Sequence, residues 1–353
     1  MIGEFVKSSK SNRKLFASLV FFIFSVSLIM TSSAFAAGNQ QYKPTTIIDV
    51  KWGNAPEEFG LREGGETSGA KTFSLDKDGN IYIFDTVKSN IKKYDLYGSY
   101  IGNIGDNNIV GTSFAVGGSG EIYVLENYRH RIHVYSGSGE LINDFPIPNE
   151  IELIEGYDQK ITLDDQDNLY VNNFQVQYHI GKKQNGSMSM IPVKNVLNKE
   201  GGFKGFGKNV GNIPESKLMH KREGLKSRSK ANRLIKVRRK NTYEASVYLL
   251  TEAGNKVKEI TMNTSGKFGA VLFKEQDASG YVYVETERIT GDNKGHLDVR
   301  KYDEGGNLIS IFEIPNDYYT TMYKKIEINK TGDVYQLLTT PDGVKIIKWE
   351  QSQ

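Results

Sequence analysis

The sequence contains no cysteine. That excludes disulfides, thiolate metal centres and the lipidated cysteine of a lipoprotein anchor. Histidine is scarce, with five in the chain. His130, His133, His179, His220 and His296 show neither His-x-Glu nor His-Glu-x-x-His spacing, so no zinc site assembles from them. His130 and His133 are three apart near a strand start, a spacing that sets them on opposite faces if both are extended. Charge of one sign is also lacking. The formal balance of +3 includes four basic residues at the N-terminus, and without them the chain is near neutral. A general electrostatic affinity for nucleic acid is therefore not expected.

What is present begins with an export signal. Lys7, Lys10, Arg13 and Lys14 form a basic region, Leu15 to Met30 is apolar, and Ala34-Phe35-Ala36 offers small residues for cleavage. That order is a secretory signal with cleavage expected after Ala36. The alternative is retention of the stretch as a membrane anchor, for which it falls short of about 20 apolar residues. No second such stretch follows, so the remaining ~315 residues are expected to be soluble, monomeric and secreted or wall-associated. Richness in Lys, Asn and Ile suits a bacterial exporter.

One phrase recurs: a turn residue, an aliphatic residue and a tyrosine. It appears as Asn80-Ile81-Tyr82, Glu121-Ile122-Tyr123, Asn168-Leu169-Tyr170, Tyr281-Val282-Tyr283 and Asp333-Val334-Tyr335. The tyrosines are 41, 47, 113 and 52 residues apart by subtraction, and the long gap implies a degenerate copy, best placed at Asn232-Arg233-Leu234-Ile235. Each copy sits among short apolar strands and glycine turns, giving four-stranded antiparallel meanders. The second strand is apolar on both faces, as in Ile81-Tyr82-Ile83-Phe84, which fits stacked blades and not a sheet with one wet face.

The last copy supplies three strands, and Thr46 to Gly53 matches the missing fourth. The expected fold is all-β: a six-bladed β-propeller of four-stranded antiparallel blades, its ring closed by the N-terminal strand pairing with the last blade. The expected boundaries are signal 1–36, linker 37–44 and propeller 45–353, with a basic Gly-rich insertion at about 199–232. The phrase Phe73-x-Leu-Asp-x-Asp-Gly-Asn-Ile-Tyr-Ile-x-Asp85 followed by Asn90-Ile91 resembles the NHL-repeat class of six-bladed propellers, over roughly Thr45 to Glu350. The resemblance implies a scaffold and a binding role; chemistry must come from sites.

From Lys199 to Lys240 there are fourteen Lys and Arg against three Glu. This run reads as a solvated insertion, or as a contact for an anionic wall polymer. Asp76-Lys77-Asp78-Gly79-Asn80 and Asp164-Asp165-Gln166-Asp167-Asn168 look like calcium-loop fragments, but they run straight into strands and read as turns.

Asp85, Glu126, Asn173 and Glu285 each end or follow a second strand. Lactonase-like propellers hold one divalent ion with such residues, so a metal-dependent hydrolase or lyase using calcium or a similar cation is the alternative function. The leading expectation needs no cofactor. It is a non-catalytic binding or scaffold protein taking a protein or polysaccharide at the cell surface. Its ligand loops are expected to carry Arg62, Glu63, Glu66, Tyr128, Arg129, His130, Asn172, Phe174, Glu287, Arg288, Tyr318 and Tyr319.

Overall fold

The repeating phrase falls on short strands; those described run from three to ten residues, many of them ended by a turn of Asp, Asn or Gly. The computed structural model describes residues 41–149, 151, 160–163, 166–173, 176–184, 187–195, 226–228, 234–250, 256–291 and 294–352. The signal segment, Phe174 and most of the basic stretch (196–225 and 229–233) lie outside the described residues. The described chain is all-β, with no α-helix among the described residues.

The described strands sort into six four-stranded antiparallel sheets. The first holds β2 (Ala70–Leu75), β3 (Ile81–Asp85), β4 (Asn90–Tyr94) and β5 (Tyr100–Ile104). The second holds β6 (Ser113–Val116), β7 (Ile122–Glu126), β8 (Arg131–Tyr135) and β9 (Leu141–Pro146). The third holds β10 (Lys160–Leu163), β11 (Leu169–Asn173), β12 (Val176–Gln184) and β13 (Ser187–Asn195). The fourth holds β14 (Lys226–Arg228), β15 (Leu234–Arg239), β16 (Glu244–Leu250) and β17 (Lys256–Asn263). The fifth holds β18 (Lys267–Gln276), β19 (Val282–Ile289), β20 (Gly295–Tyr302) and β21 (Leu308–Ile314). In the sixth, β22 (Ile326–Ile328), β23 (Val334–Thr340) and β24 (Gly343–Gln351) are joined by β1 (Tyr42–Lys51).

Two boundaries differ from the sequence reading. Tyr42 to Pro44, read as linker, are already strand, because Tyr42 stacks on Phe312 at 4.2 Å between ring centroids and anchors the start of β1. Within the basic stretch, Lys226–Arg228 pairs with β15 and is strand, not insertion. Leu234–Ile235 opens a second strand, the place expected for the degenerate copy.

Packing explains why the second strands carry no polar face. All five residues of β3 are buried, as are all five of β7, while the fourth strands β5 and β9 are largely exposed. Each buried cluster draws on two neighbouring sheets. Tyr82, Phe84 and Ile91 meet Phe114, Ile122 and Val124, joining sheets one and two. Similar clusters join two to three, four to five and five to six. A further cluster brings Ile48, Leu337 and Ile346 of the sixth sheet against Phe73, Ile81 and Ile83 of the first. Side chains buried this way each contribute about 1.5–3 kcal/mol, so stability resides between sheets as much as within them.

The turns repeat a device. Asp76 Oδ1 accepts from the amides of Asp78 and Asn80 at 2.9 Å, and its Oδ2 accepts from Asn80 Nδ2 at 2.8 Å and the Tyr82 hydroxyl at 3.1 Å. Asp277 does the same for Ser279, Tyr281 and the Tyr283 hydroxyl. The recurring tyrosine is thus tied to the recurring turn residue, and both Asp76 oxygens serve the turn.

A candidate binding face

The expected site residues are divided among the connections between sheets, the loop after β7 and the second strands β3, β7, β11 and β19 themselves. Asp85, the last residue of β3, is fully buried. It accepts from the amides of Gly60 (2.8 Å), Lys88 (3.0 Å) and Val87 (3.2 Å) and lies 3.9 Å from Lys92 Nζ. Lys92 donates to the Pro56 carbonyl at 2.6 Å. Burial lowers its ammonium to about 8, against the opposing pull of Asp85. Glu126 accepts from His133 Nε2 at 2.7 Å and faces Arg129 at 3.5 Å. His130 is not extended; its φ of +53° places it in the turn before β8, so the opposite-face expectation does not apply.

Glu285 departs from this pattern. Tyr82 and Tyr283 are equivalent, so Thr286, paired with Asp298, occupies the position of Asp85, paired with Asn90. Glu285 is one residue earlier and faces the other side of its sheet. Asp85, Glu126 and Asn173, each the fifth residue of its strand, are equivalent; Glu285 is not. Its carboxylate lies 2.8 Å from Lys274 Nζ. Burial acts to raise it, but Lys274, with Lys160 and Lys325, outweighs that and holds it below the usual carboxylate range. Among the described residues no three acidic or histidine side chains form a metal shell.

Two distant connections do converge. Arg62 and Ser68 exchange backbone hydrogen bonds (3.0 and 2.9 Å), closing a loop that projects Glu63 and Glu66. Glu63 accepts from the Tyr319 hydroxyl at 2.6 Å, which raises that phenol. Hydrogen bonding from Thr321, then the charge of Lys71 (3.4 Å), lowers Glu66. The Thr321 amide reaches Thr67 O at 3.1 Å and the Tyr323 amide reaches Lys71 O at 2.8 Å. Arg62, Glu63, Glu66 and Tyr319 therefore share one surface, to which the structure adds Lys71 and Tyr323.

Other expected residues are differently placed. Tyr128, with 78% exposure, and Arg129 and His130 form a separate exposed group. Arg288 is bound to Asp298 and Glu313 within its own sheet, and Glu287 pairs with Ala270 in the ladder. Tyr318 is not a free stacking ring: its hydroxyl accepts from Gln336 Nε2 at 3.0 Å and Lys325 lies over its face at 4.9 Å. Asn172 and Asn173 end β11. Sequence reading missed the lysines at or near the first strands (Lys71, Lys160, Lys274 and Lys325). A basic residue just before Ile161-Thr162-Leu163 and Ile326-Glu327-Ile328 was the available signal.

No family model and no curated protein matches the chain. Several solved structures are similar to it at low identity. Virginiamycin B lyase from Staphylococcus aureus is 11% identical with a TM-score of 0.43, over 88% of this chain and 99% of that one. A gluconolactonase from Xanthomonas campestris is 11% identical with a TM-score of 0.47, over 90% and 92%. A Bacteroides vulgatus protein of the DUF4221 family is 11% identical with a TM-score of 0.47, over 89% and 100%. These are β-propeller proteins. At such identities and TM-scores the likeness carries no argument about activity.

Proposed function

We propose that this chain is an exported, non-catalytic β-propeller of six blades that binds a protein or polysaccharide partner at the cell surface. The ring reading is supported by the cluster joining the sixth sheet to the first, with β1 as the closing strand on β24. Export rests on the signal at residues 1–36.

The observation that carries the binding reading is the convergence of the 62–71 and 318–325 connections through Glu63–Tyr319 and Glu66–Lys71. Two loops far apart in sequence make one firm polar surface, and the second-strand loop holding Tyr128 adds an exposed ring. A polysaccharide suits such a ring, which presents apolar area with a polar tip. Asp85, Glu126 and Glu285, by contrast, spend their oxygens on protein amides and cations, which favours a structural role for them.

Retention on beads carrying purified cell-wall polysaccharide tests this. The wild-type protein is expected to be held, and a Tyr128→Ala/Tyr319→Ala variant with unchanged melting temperature is expected to pass through. Equal behaviour of the two proteins contradicts the assignment.

A further inference from the structure

The two side-chain holds on the 62–71 connection are unequal. Glu63 receives the Tyr319 hydroxyl at 2.6 Å. Lys71, the second residue of β2, reaches Glu66 Oε1 and the Tyr323 hydroxyl at 3.4 Å each, and these are the hydrogen bonds its ammonium makes among the described residues. An ammonium on a carboxylate ordinarily sits at about 2.7–2.9 Å. Lys324, on the adjoining connection, meets that standard with Glu327 at 2.7 Å. Yet Lys71 is the more deeply buried of the two lysines, with 11% of its side chain exposed. A charge withdrawn that far from water is best served by close acceptors, and the one carboxylate in reach of Lys71 is held loosely.

Glu66 is also placed where it can be displaced. Its side chain is 61% exposed, and it follows Gly64 and Gly65, where an added Cβ would meet nothing within 4 Å. The tip of the loop therefore stands in open space, while the Arg62–Ser68 backbone pair fixes its base. Beside the Lys71 ammonium, 5.0 Å from the ring centroid, lies the face of Tyr323. A cation next to an aromatic ring suits a ligand that brings an anion and an apolar sugar face together.

We propose that Lys71 is the specificity-determining residue of the binding face: it receives a carboxylate of an acidic polysaccharide, and Glu66 is the internal stand-in that the ligand displaces. This rests on the binding reading and names its ligand class. The group that Glu66 holds in place is a carboxylate, so a carboxylate of the ligand replaces it without altering the charge at Lys71. Glu63 stays on Tyr319 throughout, so the loop keeps one anchor while the other is exchanged.

Calorimetry of the whole secreted chain with trigalacturonate, and with its methyl ester as a neutral control of the same sugar, tests the assignment. Trigalacturonate is expected to bind more tightly than the ester by about tenfold or more, the worth of one charged hydrogen bond. That advantage is expected to shrink as sodium chloride rises and to vanish in Lys71→Met. Glu66→Gln keeps Lys71 and removes the competing charge, so it is expected to bind trigalacturonate severalfold more tightly than the wild type. A residue that merely braces the loop predicts equal or weaker binding there. Glu66 is exposed, so this variant carries the test even if Lys71→Met does not fold. Equal affinity for acid and ester, binding of neither, or no tightening in Glu66→Gln overturns the assignment. Wall polysaccharide still retained through Tyr128 and Tyr319 in that event leaves the binding reading intact; loss of wild-type retention as well removes both.

Discussion

Lys92 shows how one side chain ties local chemistry to stability. Its side chain is fully buried, against Asp85, the Pro56 carbonyl and the Phe59 ring. With the folded ammonium lowered to about 8, the unfolded chain binds the proton more tightly. Stability contributed at this site therefore rises as pH climbs from about 8 toward the ordinary lysine range. Replacing Lys92 with Met removes that slope. Asp85 keeps its three amide donors, so the variant is expected to fold. Chemical denaturation between about pH 7.5 and 9.5 is expected to show the wild type gaining roughly 1–2 kcal/mol relative to Lys92→Met. Parallel curves for the two proteins contradict the account. Above about pH 10 ionising tyrosines act in the other direction: Tyr42, raised to about 12 mainly by burial, releases its proton on unfolding, so stability falls as pH rises further.

At the scale of elements, two glycines with the same backbone angle separate strain from packing. Gly79 and Gly98 have φ of +86° and +89°. A Cβ on Gly79 meets nothing nearer than Leu96 at 3.5 Å, whereas one on Gly98 falls 1.9 Å from the Ile47 carbonyl oxygen. Gly79→Ala is expected to cost about 1–2 kcal/mol, the left-handed penalty alone. Gly98→Ala is expected to cost about 3 kcal/mol or more, because the turn between β4 and β5 must also withdraw from β1. Gly139 repeats the contact one sheet on: its Cβ falls 2.1 Å from the Gly105 amide. Thermal or urea unfolding of the two alanine variants checks the difference.

The turns were legible in sequence because Asp and Asn side chains accept from amides two and four residues on, and Gly takes the positive φ that follows. The strands were legible because an aliphatic-tyrosine pair marks five of the six second strands, β15 being the exception. Glu285 was misaligned with Asp85 by one residue, an offset that counting from the recurring tyrosine exposes: Asp85 lies three residues after Tyr82, Glu285 two after Tyr283. The pairing of Lys274 with Glu285 was not legible, since the irregularity in β18 between Phe273 and Glu275 sets Lys274 beside a strand that the sequence places eleven residues on. Tyr318 looked like an exposed ring because nothing local in the sequence announces the Gln336 amide that meets its hydroxyl. At this scale the carboxylates also carry a prediction. Calcium, magnesium, manganese and zinc, with EDTA as control, are expected to leave the melting temperature unchanged, since Asp85, Glu126 and Glu285 are already engaged. A metal-specific rise reversed by EDTA restores the hydrolase alternative.

For the whole molecule, the N-terminal strand decides whether the sheets behave as one body. β1 runs antiparallel to β24 from Tyr42 opposite Gln351 to Lys51 opposite Gly343, and the Trp52 indole donates to Thr340 O at 2.9 Å. Tyr42 stacks on Phe312 of the fifth sheet, and Ile48 joins the cluster with Phe73 and Ile81 of the first. One strand thus contacts both neighbouring sheets, and the closure proposed for it would remove an edge open to aggregation. Because the chain has no cysteine, a single pair introduced across this ladder reports on it without background. Lys43 lies opposite Glu350, a spacing of about 4.5–5.5 Å between Cα atoms that a disulfide spans. In the oxidised Lys43→Cys/Glu350→Cys protein, intact mass spectrometry is expected to find one intramolecular disulfide, and the melting temperature is expected to rise by an amount that reduction abolishes. Two free thiols that both alkylate in the folded protein would contradict closure by β1.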